Sequence, residues 1–429
     1  MYKNQDFGTR GFGGIRPRKE RESSSDIEGV TILKPMTRGR VASIAGAILL
    51  AGAVFAWNAV RQEREFRRLI AVGDAALARD QTYEAIEAFS GALALKRDSM
   101  LAHLKRGDSY RRRGELTAAL RDLREAAALD PAATRALELL GDVNAAMGRY
   151  ERAIEVYRRY LAIDDRAPQI LYKLALAYYR SGQITQAVDP IRKSIALDDR
   201  FAEAHYLLAL CLKAQKHAPE AMASLARALE VNPALGVARE ELAALDLAQG
   251  KTREGIEQLE ALAALEPSRP ERLINVGLAY ARVGRTDAAI ATLGRAAERY
   301  PQADVVYGAL GRVWLASAEA HDDGVALSKA IQALEAAAAR ANASSDTLTL
   351  YGRALILSGR IQTAERVLQQ ATTVWPVEPT AFFYLADAAE RRGHVAAAHD
   401  ALASYVALSD EEEKEQFADR LAALSGRKP

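Results

Sequence analysis

The sequence contains little cysteine, few aromatic residues and almost no net charge. Its 429 residues include one cysteine, Cys211, which excludes an intrachain disulfide framework and any multi-cysteine zinc or iron–sulfur site. A formal net charge of +2 gives no global basic field, so no nucleic-acid partner is expected. Aromatic residues make up 7% of the chain, whereas 49% is hydrophobic and 27% charged, as in ordinary folded proteins.

Residue types that carry catalysis or bind metals are also scarce. The chain has six histidines, and His394 and His399 are five apart, which does not fit the i, i+4 pair of a zinc-binding helix. Cys211 falls in a predicted helix and is expected to be a buried small apolar residue. We therefore predict that the chain is not an enzyme and has no catalytic residues, metal site or cofactor.

The first 40 residues differ from the rest of the chain. They carry nine Lys and Arg residues against five acidic ones, a local charge of +4, so the remaining residues sum to −2. Glycine and serine are frequent, and no apolar periodicity is present. Such a segment buries too little surface to offset its chain entropy, so residues 1–40 are predicted to be a disordered basic tail.

Residues 41–60 contain no charged side chain. A helix of this length is about 30 Å long, enough to cross a bilayer core, and Trp57 lies near its end as an interfacial aromatic would. The segment is therefore predicted to be a transmembrane helix that contacts the lipid bilayer. A cleaved signal peptide and a buried helix are the alternatives. Small residues four apart, such as Ala42 and Gly46, would let two copies of this helix pack closely in a homo-oligomer. Contacts between the repeats are the alternative way to form one.

Charge around the predicted span favours one orientation. The basic tail is easier to keep in the cytoplasm than to export, so the remainder is expected on the far side. The excess of 45 Arg over 13 Lys, with abundant Ala, is typical of GC-rich bacterial coding. The expected location is thus the bacterial cytoplasmic (inner) membrane, single-pass, with a cytoplasmic N-terminus and residues 61–429 periplasmic. The alternative places those residues in the cytoplasm.

From Phe66 onward the chain repeats in blocks of 34 residues. The eighth and twentieth positions are small in every block, and the twenty-fourth is always large and apolar. Small residues let two helices approach closely, and the large one fills the space beside them. The eighth-position residues are Gly73, Gly107, Gly141, Ala175, Ala209, Ala243, Gly277, Gly311, Gly352 and Ala386; the twenty-fourth are Phe89, Leu123, Tyr157, Ile191, Leu225, Leu259, Leu293, Leu334, Leu368 and Leu402.

Two further positions of the block indicate where its helices end. The fifteenth is glycine in seven of them, as at Gly182, and predicts the end of a first helix because glycine adopts the left-handed conformation cheaply. The thirty-second is proline in five, as at Pro233, and predicts a break after a second helix. Each block is therefore predicted to be a helix, a short turn and a helix.

This pattern resembles the tetratricopeptide repeat (TPR) family over residues 66–412. The resemblance implies an all-α, right-handed superhelical solenoid of about ten helix pairs, with a concave surface lined by first helices that binds proteins or peptides. The predicted organisation is a tail (1–40), a transmembrane helix (41–60), a short linker (61–65), ten repeats and a C-terminal capping helix with its tail (413–429). The repeats are 66–99, 100–133, 134–167, 168–201, 202–235, 236–269, 270–303, 304–344 with a seven-residue insertion, 345–378 and 379–412.

The resemblance also implies where a partner would bind. First-helix positions 2, 5, 6, 9, 12 and 13 usually line the concave surface of the family, and here they combine aromatic, aliphatic and basic side chains. Aromatic side chains offer large contact area, and basic groups pair with carboxylates. The candidate partner-binding residues are Tyr172, Lys173, Leu176, Tyr179, Arg180, Tyr206, Leu207, Leu210, Lys213, Lys105, Arg111 and Arg112.

These features predict a membrane-anchored scaffold that binds partner proteins or peptides. It would help to assemble a multiprotein envelope complex of secretion, pilus, polysaccharide or respiratory type. The alternative is a cytosol-facing receptor for protein import or chaperone docking. Position nine reads Asp74, Asp108 and Asp142 in the first three blocks, and acids there would repel the chaperone carboxylate that the family clamps with Asn and Lys.

Overall fold

The architecture is entirely helical wherever it is described. The computed structural model describes residues 38–340 and 342–426, and within these ranges it contains 21 helices. The predicted disordered tail falls almost wholly on residues 1–37, which lie outside the described residues. The chain divides into two compact units, one ending at Arg97 and the other beginning at Asp98.

The first unit is a helix pair in which a long helix packs against a shorter one. The helices are α1 (Arg38–Ala78) and α2 (Thr82–Leu95). A Cβ atom on Gly73 would come within 2.4 Å of the Phe89 ring, so the small residue on α1 lets the two helices close on each other. Phe66 is buried beside them, and the Lys96 ammonium lies over its ring at 4.6 Å.

The predicted transmembrane helix over residues 41–60 is wrong for the part of the chain that the structure describes. None of its helices combines the length and apolar character needed to span a bilayer. The apolar segment is the first part of α1, which continues without a break through Arg61, Glu63 and Arg64. The single-pass inner-membrane location depended on this span and is wrong as well.

The second unit is a succession of helix pairs closed by one further helix. Its first helices are α3 (Met100–Arg112), α5 (Thr134–Ala146), α7 (Pro168–Arg180), α9 (Ala202–Ala214), α11 (Gly236–Ala248), α13 (Pro270–Arg282), α15 (Asp304–His321), α17 (Ser345–Leu357) and α19 (Thr380–Arg391). Its second helices are α4 (Leu116–Leu129), α6 (Tyr150–Leu161), α8 (Ile184–Leu197), α10 (Ala218–Val231), α12 (Thr252–Leu265), α14 (Thr286–Arg299), α16 (Gly324–Ala338), α18 (Ile361–Ala371) and α20 (Val395–Leu408), and the unit ends with α21 (Glu411–Gly426).

Glycine determines how closely each pair packs and where its first helix stops. A Cβ atom on Gly141 would lie 2.3 Å from the Tyr157 ring, and one on Gly352 would lie 2.4 Å from Leu368. The eighth position is therefore in direct contact with the twenty-fourth, as the repeat pattern predicts. Gly182, just beyond α7, has a φ of +79°, a left-handed conformation that ends the helix.

Consecutive helices contact each other along the unit, and first helices also contact first helices of the next pair. Direct first-helix contacts join α7 to α9, α13 to α15 and α17 to α19. At the C-terminal end, α21 packs Phe417, Leu421 and the buried Leu424 against the last pair. The Phe417 ring lies 5.6 Å from both Phe383 and Tyr405, which gives this end an aromatic cluster.

The predicted seven-residue insertion lengthens the pair formed by α15 and α16. Helix α15 has 18 residues, whereas α13 and α17 have 13 each. It ends at Asp322, whose φ of 50° is left-handed, and the Asp323 side chain then accepts a hydrogen bond from the Val325 amide at the start of α16.

Candidate functional site

Two neighbouring first helices, α7 and α9, carry nine of the twelve predicted partner-binding residues. We call the surface that these two helices form with α5 the first-helix surface. Helix α7 contacts α9 directly, and side chains of α5 and α7 are joined by ion pairs. The predicted residues of repeats four and five therefore lie on adjacent elements.

A pocket of about 460 Å³ opens between α5, α6 and α7. We call it the tyrosine pocket because rings of three tyrosines line it. Four of the predicted residues are part of its wall, together with five that the sequence did not single out as partner-binding. The lining residues are Asp142, Ala145, Tyr150, Tyr157, Tyr172, Lys173, Leu176, Ala177 and Arg180.

A polar network holds the wall of the tyrosine pocket in place. The Tyr157 hydroxyl donates a hydrogen bond of 2.8 Å to Asp142 Oδ1. The Lys173 ammonium donates to Asp142 Oδ2 and to Glu138 Oε1, both at 2.8 Å. Burial alone would raise the pKa of Glu138, but hydrogen bonds from Lys173 and Arg135 outweigh it and lower that pKa. Glu138 thus stays ionised, and both carboxylates link α5 to α7 through Lys173.

The mouth of the pocket combines an aromatic ring with an exposed cation. Tyr172 is half-buried and packs against Phe201 with ring centroids 4.8 Å apart. Burial, with a contribution from Glu203, raises the pKa of Tyr172, so its hydroxyl is neutral and available as a donor. Arg180 ends α7 and is exposed to solvent.

The remaining predicted residues of repeats four and five have different surroundings. Tyr179, Tyr206 and Leu210 are partly exposed, and burial raises the pKa of Tyr206. Lys213 is exposed and forms an ion pair of 2.5 Å with Glu241 of the next first helix. Leu207 is only 2% exposed and belongs to the hydrophobic core between α7 and α9, so it packs the repeats together rather than lining an open surface.

Two of the three predicted residues of repeat two are engaged within their own helix. The carboxylate of Asp108 accepts from Arg111 at 2.7 Å and from Arg112 at 3.1 Å. Lys105 is half-buried in the middle of the same helix. The structure does not bring these three side chains into the wall of the tyrosine pocket.

The sequence interpretation missed the contribution of α6 to the pocket. Tyr150 and Tyr157 lie on a second helix, whereas the family resemblance points only to first helices. One signal was available, since Tyr157 and Asp142 carry polar atoms at positions 24 and 9 of the same block. A buried tyrosine hydroxyl requires a partner, and position nine can supply it across the helix pair.

A second pocket, of about 440 Å³, lies at the other end of the second unit between α18 and the turn before α20. We call it the carboxylate pocket. Its central side chain is Glu365, which is 3% exposed and accepts a hydrogen bond of 2.5 Å from Arg392. His394 Nδ1 lies 2.7 Å from the other Glu365 oxygen. The lining residues are Gln362, Thr363, Glu365, Arg366, Gln369, Arg392, His394 and Ala397.

The single cysteine is a core residue, as its position in the sequence predicts. Cys211 is fully buried on α9, beside the core formed by α7, α8 and α9. Burial raises the pKa of its thiol to about 11, so very little thiolate exists at neutral pH.

Comparison with solved structures finds several chains that are similar to parts of this one. The crystal structure of MamA shows 23% identity, covering 40% of this chain and 93% of MamA with a TM-score of 0.39. YrrB, described as a TPR protein with an unusual peptide-binding site, is 20% identical over 44% of this chain and 97% of YrrB, with a TM-score of 0.38. Yeast Tom70 is 13% identical over 85% of this chain and 96% of Tom70, with a TM-score of 0.44.

Comparison with family models is more informative. No curated protein matches the chain. A model of subunit 3 of the anaphase-promoting complex, or cyclosome, matches residues 146–228. The tetratricopeptide repeat model matches residues 70–133, 104–168, 240–304 and 350–413, which together make up more than half of the chain. Together with the glycine-packed helix pairs, these matches show that the chain belongs to the tetratricopeptide repeat family.

Proposed function

We propose that this chain is a scaffold that binds an extended segment of a partner protein on the first-helix surface of repeats three to five. Protein–protein interaction is the general role of the family, whose members are mostly non-enzymatic scaffolds. The observation that supports this particular surface is the tyrosine pocket, where aromatic rings and polar groups converge in one open cavity.

The size and chemistry of the pocket suit a side-chain anchor. About 460 Å³ falls within the range of ordinary ligand sites and accommodates one or two large side chains. Tyrosine offers a large contact area and loses little conformational entropy on binding, which is why it is enriched at interfaces. Since Lys173 and Asp142 already hold each other, the wall is ordered before a partner arrives.

We do not extend the proposal to an envelope assembly of secretion, pilus, polysaccharide or respiratory type. That prediction depended on a membrane span over residues 41–60, which no described helix provides. The proposal concerns the binding surface alone.

Truncating three tyrosines of the first-helix surface tests the proposal. Affinity purification with the full chain identifies a partner, and titration calorimetry then measures its dissociation constant. The triple change Tyr172→Ala, Tyr179→Ala and Tyr206→Ala is expected to weaken binding by about 10-fold or more, because each lost ring removes contact area.

A matched variant separates loss of contact from loss of fold. Tyr83→Ala removes an exposed tyrosine on α2, outside the first-helix surface, and is expected to leave the affinity unchanged. Circular dichroism of the triple variant should retain the helical signal of the wild type. Wild-type affinity in a folded triple variant would rule out this surface as the partner site.

A further inference from the structure

We infer that the segment bound at the tyrosine pocket carries an acidic group close to a large apolar or aromatic side chain, and that Arg180 recognises the acid. This inference rests on the proposed function, because it concerns the ligand of the same surface. The reason is that the Lys173 and Lys213 charges on the first-helix surface are already neutralised by carboxylates of the protein itself.

Most of the predicted basic residues are internally paired. Lys173 contacts both Glu138 and Asp142, so its charge is compensated by two carboxylates. Lys213 is paired with Glu241. A partner carboxylate would have to displace an existing ion pair to reach these ammonium groups, and it would gain little from the exchange.

Arg180 differs from these residues. In the part of the chain that the structure describes, no carboxylate lies within ion-pair distance of its guanidinium, although it forms part of the pocket wall. It is exposed, so its charge is available to a ligand. A guanidinium presents paired donors that match the two oxygens of a carboxylate, and such a contact is directional as well as attractive.

The negative charges around the pocket do not cancel this preference. Glu138 and Asp142 are held by Lys173, by Arg135 and by the Tyr157 hydroxyl. Glu203 acts on the Tyr172 hydroxyl but is not part of the pocket wall.

The rest of the wall specifies the neighbouring side chain. Leu176, Ala145 and Ala177 contribute apolar surface, and Tyr150 and Tyr172 contribute ring faces. A large apolar or aromatic side chain removes this surface from water, whereas a polar one would leave its own groups unsatisfied. Because one pocket includes both this surface and Arg180, the anchor and the acid are expected within a few residues of each other in an extended segment.

Selection from a random peptide library tests the inference. A phage-displayed library of linear 12-residue peptides is selected on the full wild-type chain and, in parallel, on Arg180→Glu. Wild-type protein is expected to enrich Asp or Glu within a few positions of Phe, Trp, Tyr or Leu. The variant is expected to lose the acidic enrichment and to favour Lys or Arg at that position.

A synthetic peptide taken from the wild-type selection makes the test quantitative. Its affinity is expected to fall by roughly 10-fold or more on Arg180→Glu, and changing the peptide acid to Lys should restore part of the loss. Arg192→Glu is the matched control. It makes the same charge change on an exposed residue of α8 in the same repeat, and it should leave the affinity within about twofold.

The outcomes separate the two proposals. Peptides that lose affinity in the tyrosine triple variant but show no acidic enrichment overturn the inference and leave the proposed function standing. Equal losses in Arg180→Glu and Arg192→Glu also overturn it, because the effect would then be long-range charge. Selected peptides that bind the tyrosine triple variant as well as the wild type overturn both.

Discussion

The tyrosine pocket and the carboxylate pocket have nearly the same volume, yet their walls differ in chemistry. The first is about 460 Å³ and is walled by aromatic rings and small apolar residues, with Arg180 exposed at its edge. The second is about 440 Å³ and is walled by amides and charged groups around Glu365. Its central carboxylate is already bound by Arg392 and lies beside His394.

The comparison shows that two pockets of similar volume can differ in whether their polar groups are already engaged within the protein. Any ligand that used Glu365 would have to displace contacts that link α18 to the following repeat. At the tyrosine pocket the corresponding ion pairs lie in the wall, and the apolar surface remains open. We therefore expect substitutions in the carboxylate pocket to change stability, and substitutions in the tyrosine pocket that spare its core contacts to change recognition.

The largest stability effect is expected where the tyrosine pocket meets the core. Gly141→Val places side-chain atoms where a Cβ alone would lie 2.3 Å from the Tyr157 ring. The ring must move, so the free energy of unfolding should fall by about 3 kcal/mol. Urea denaturation followed by circular dichroism measures the change.

Gly294→Ala is the control for this substitution. Gly294 lies within α14, and no atom is near enough to obstruct a Cβ there. Alanine is the better helix former, so this change should stabilise the protein by up to about 1 kcal/mol. Similar stabilities for both variants would show that the contact between Gly141 and Tyr157 does not constrain the pair.

A smaller and pH-dependent effect is expected in the carboxylate pocket. Burial raises the pKa of Glu365, but hydrogen bonds from His394 and Arg392 outweigh it and hold that pKa below 4.5. Glu365→Gln should therefore lower the free energy of unfolding by about 1–2 kcal/mol at pH 7. The Glu365 contribution exists above the pKa of the unfolded chain and is lost as the pH falls through the lower folded value.

Denaturation at several pH values checks this sign. The difference between wild type and Glu365→Gln should shrink as the pH falls below about 4. Glu257→Gln is the exposed control, since among the described residues Glu257 forms its ion pair with Arg253 one turn away, and the change should cost less than about 0.5 kcal/mol. A difference that persists undiminished well below pH 4 would contradict the assignment.

The smallest expected effect concerns the labelling rate of Cys211, which should not change in Glu365→Gln. This experiment tests whether the two pockets are coupled. Cys211 is buried, and burial raises the pKa of its thiol to about 11, so labelling by Ellman's reagent at pH 8 requires local opening near α9. Glu365→Gln should leave the labelling rate within about twofold, because distant repeats open separately. A large acceleration would show that the two ends unfold as one cooperative unit.

Much of the fold follows from local patterns in the sequence. The contact between Gly141 and Tyr157 follows from one small and one large position that recur every 34 residues. A small residue on the first helix leaves room for the large residue that faces it from the second helix. The left-handed conformation at Gly182 follows from the cost of that conformation for other residues. Such features depend on a few neighbouring residues and need no knowledge of the whole chain.

The residues that line the candidate binding site could be predicted less fully from the sequence, for two reasons. Lys173 pairs with Asp142 and Glu138, which lie 31 and 35 residues away along the chain. The partners of such a long side chain depend on how the helices are arranged in space, which the local sequence does not specify. Leu207 occupies a position that lines the surface in the family, yet here it is 2% exposed and packs into the core between the repeats. The expected span over residues 41–60 was wrong because no helix among the described residues combines the length and the apolar character that a bilayer requires.

The lengthened pair of α15 and α16 has a practical consequence. Its turn at Asp322 and Asp323 is exposed, and α15 there extends beyond the length of its neighbours. An epitope tag or a fluorophore inserted between these two residues would therefore lie far along the chain from the tyrosine pocket. The turn offers a place to label or immobilise the protein internally while the first-helix surface stays open to its partner.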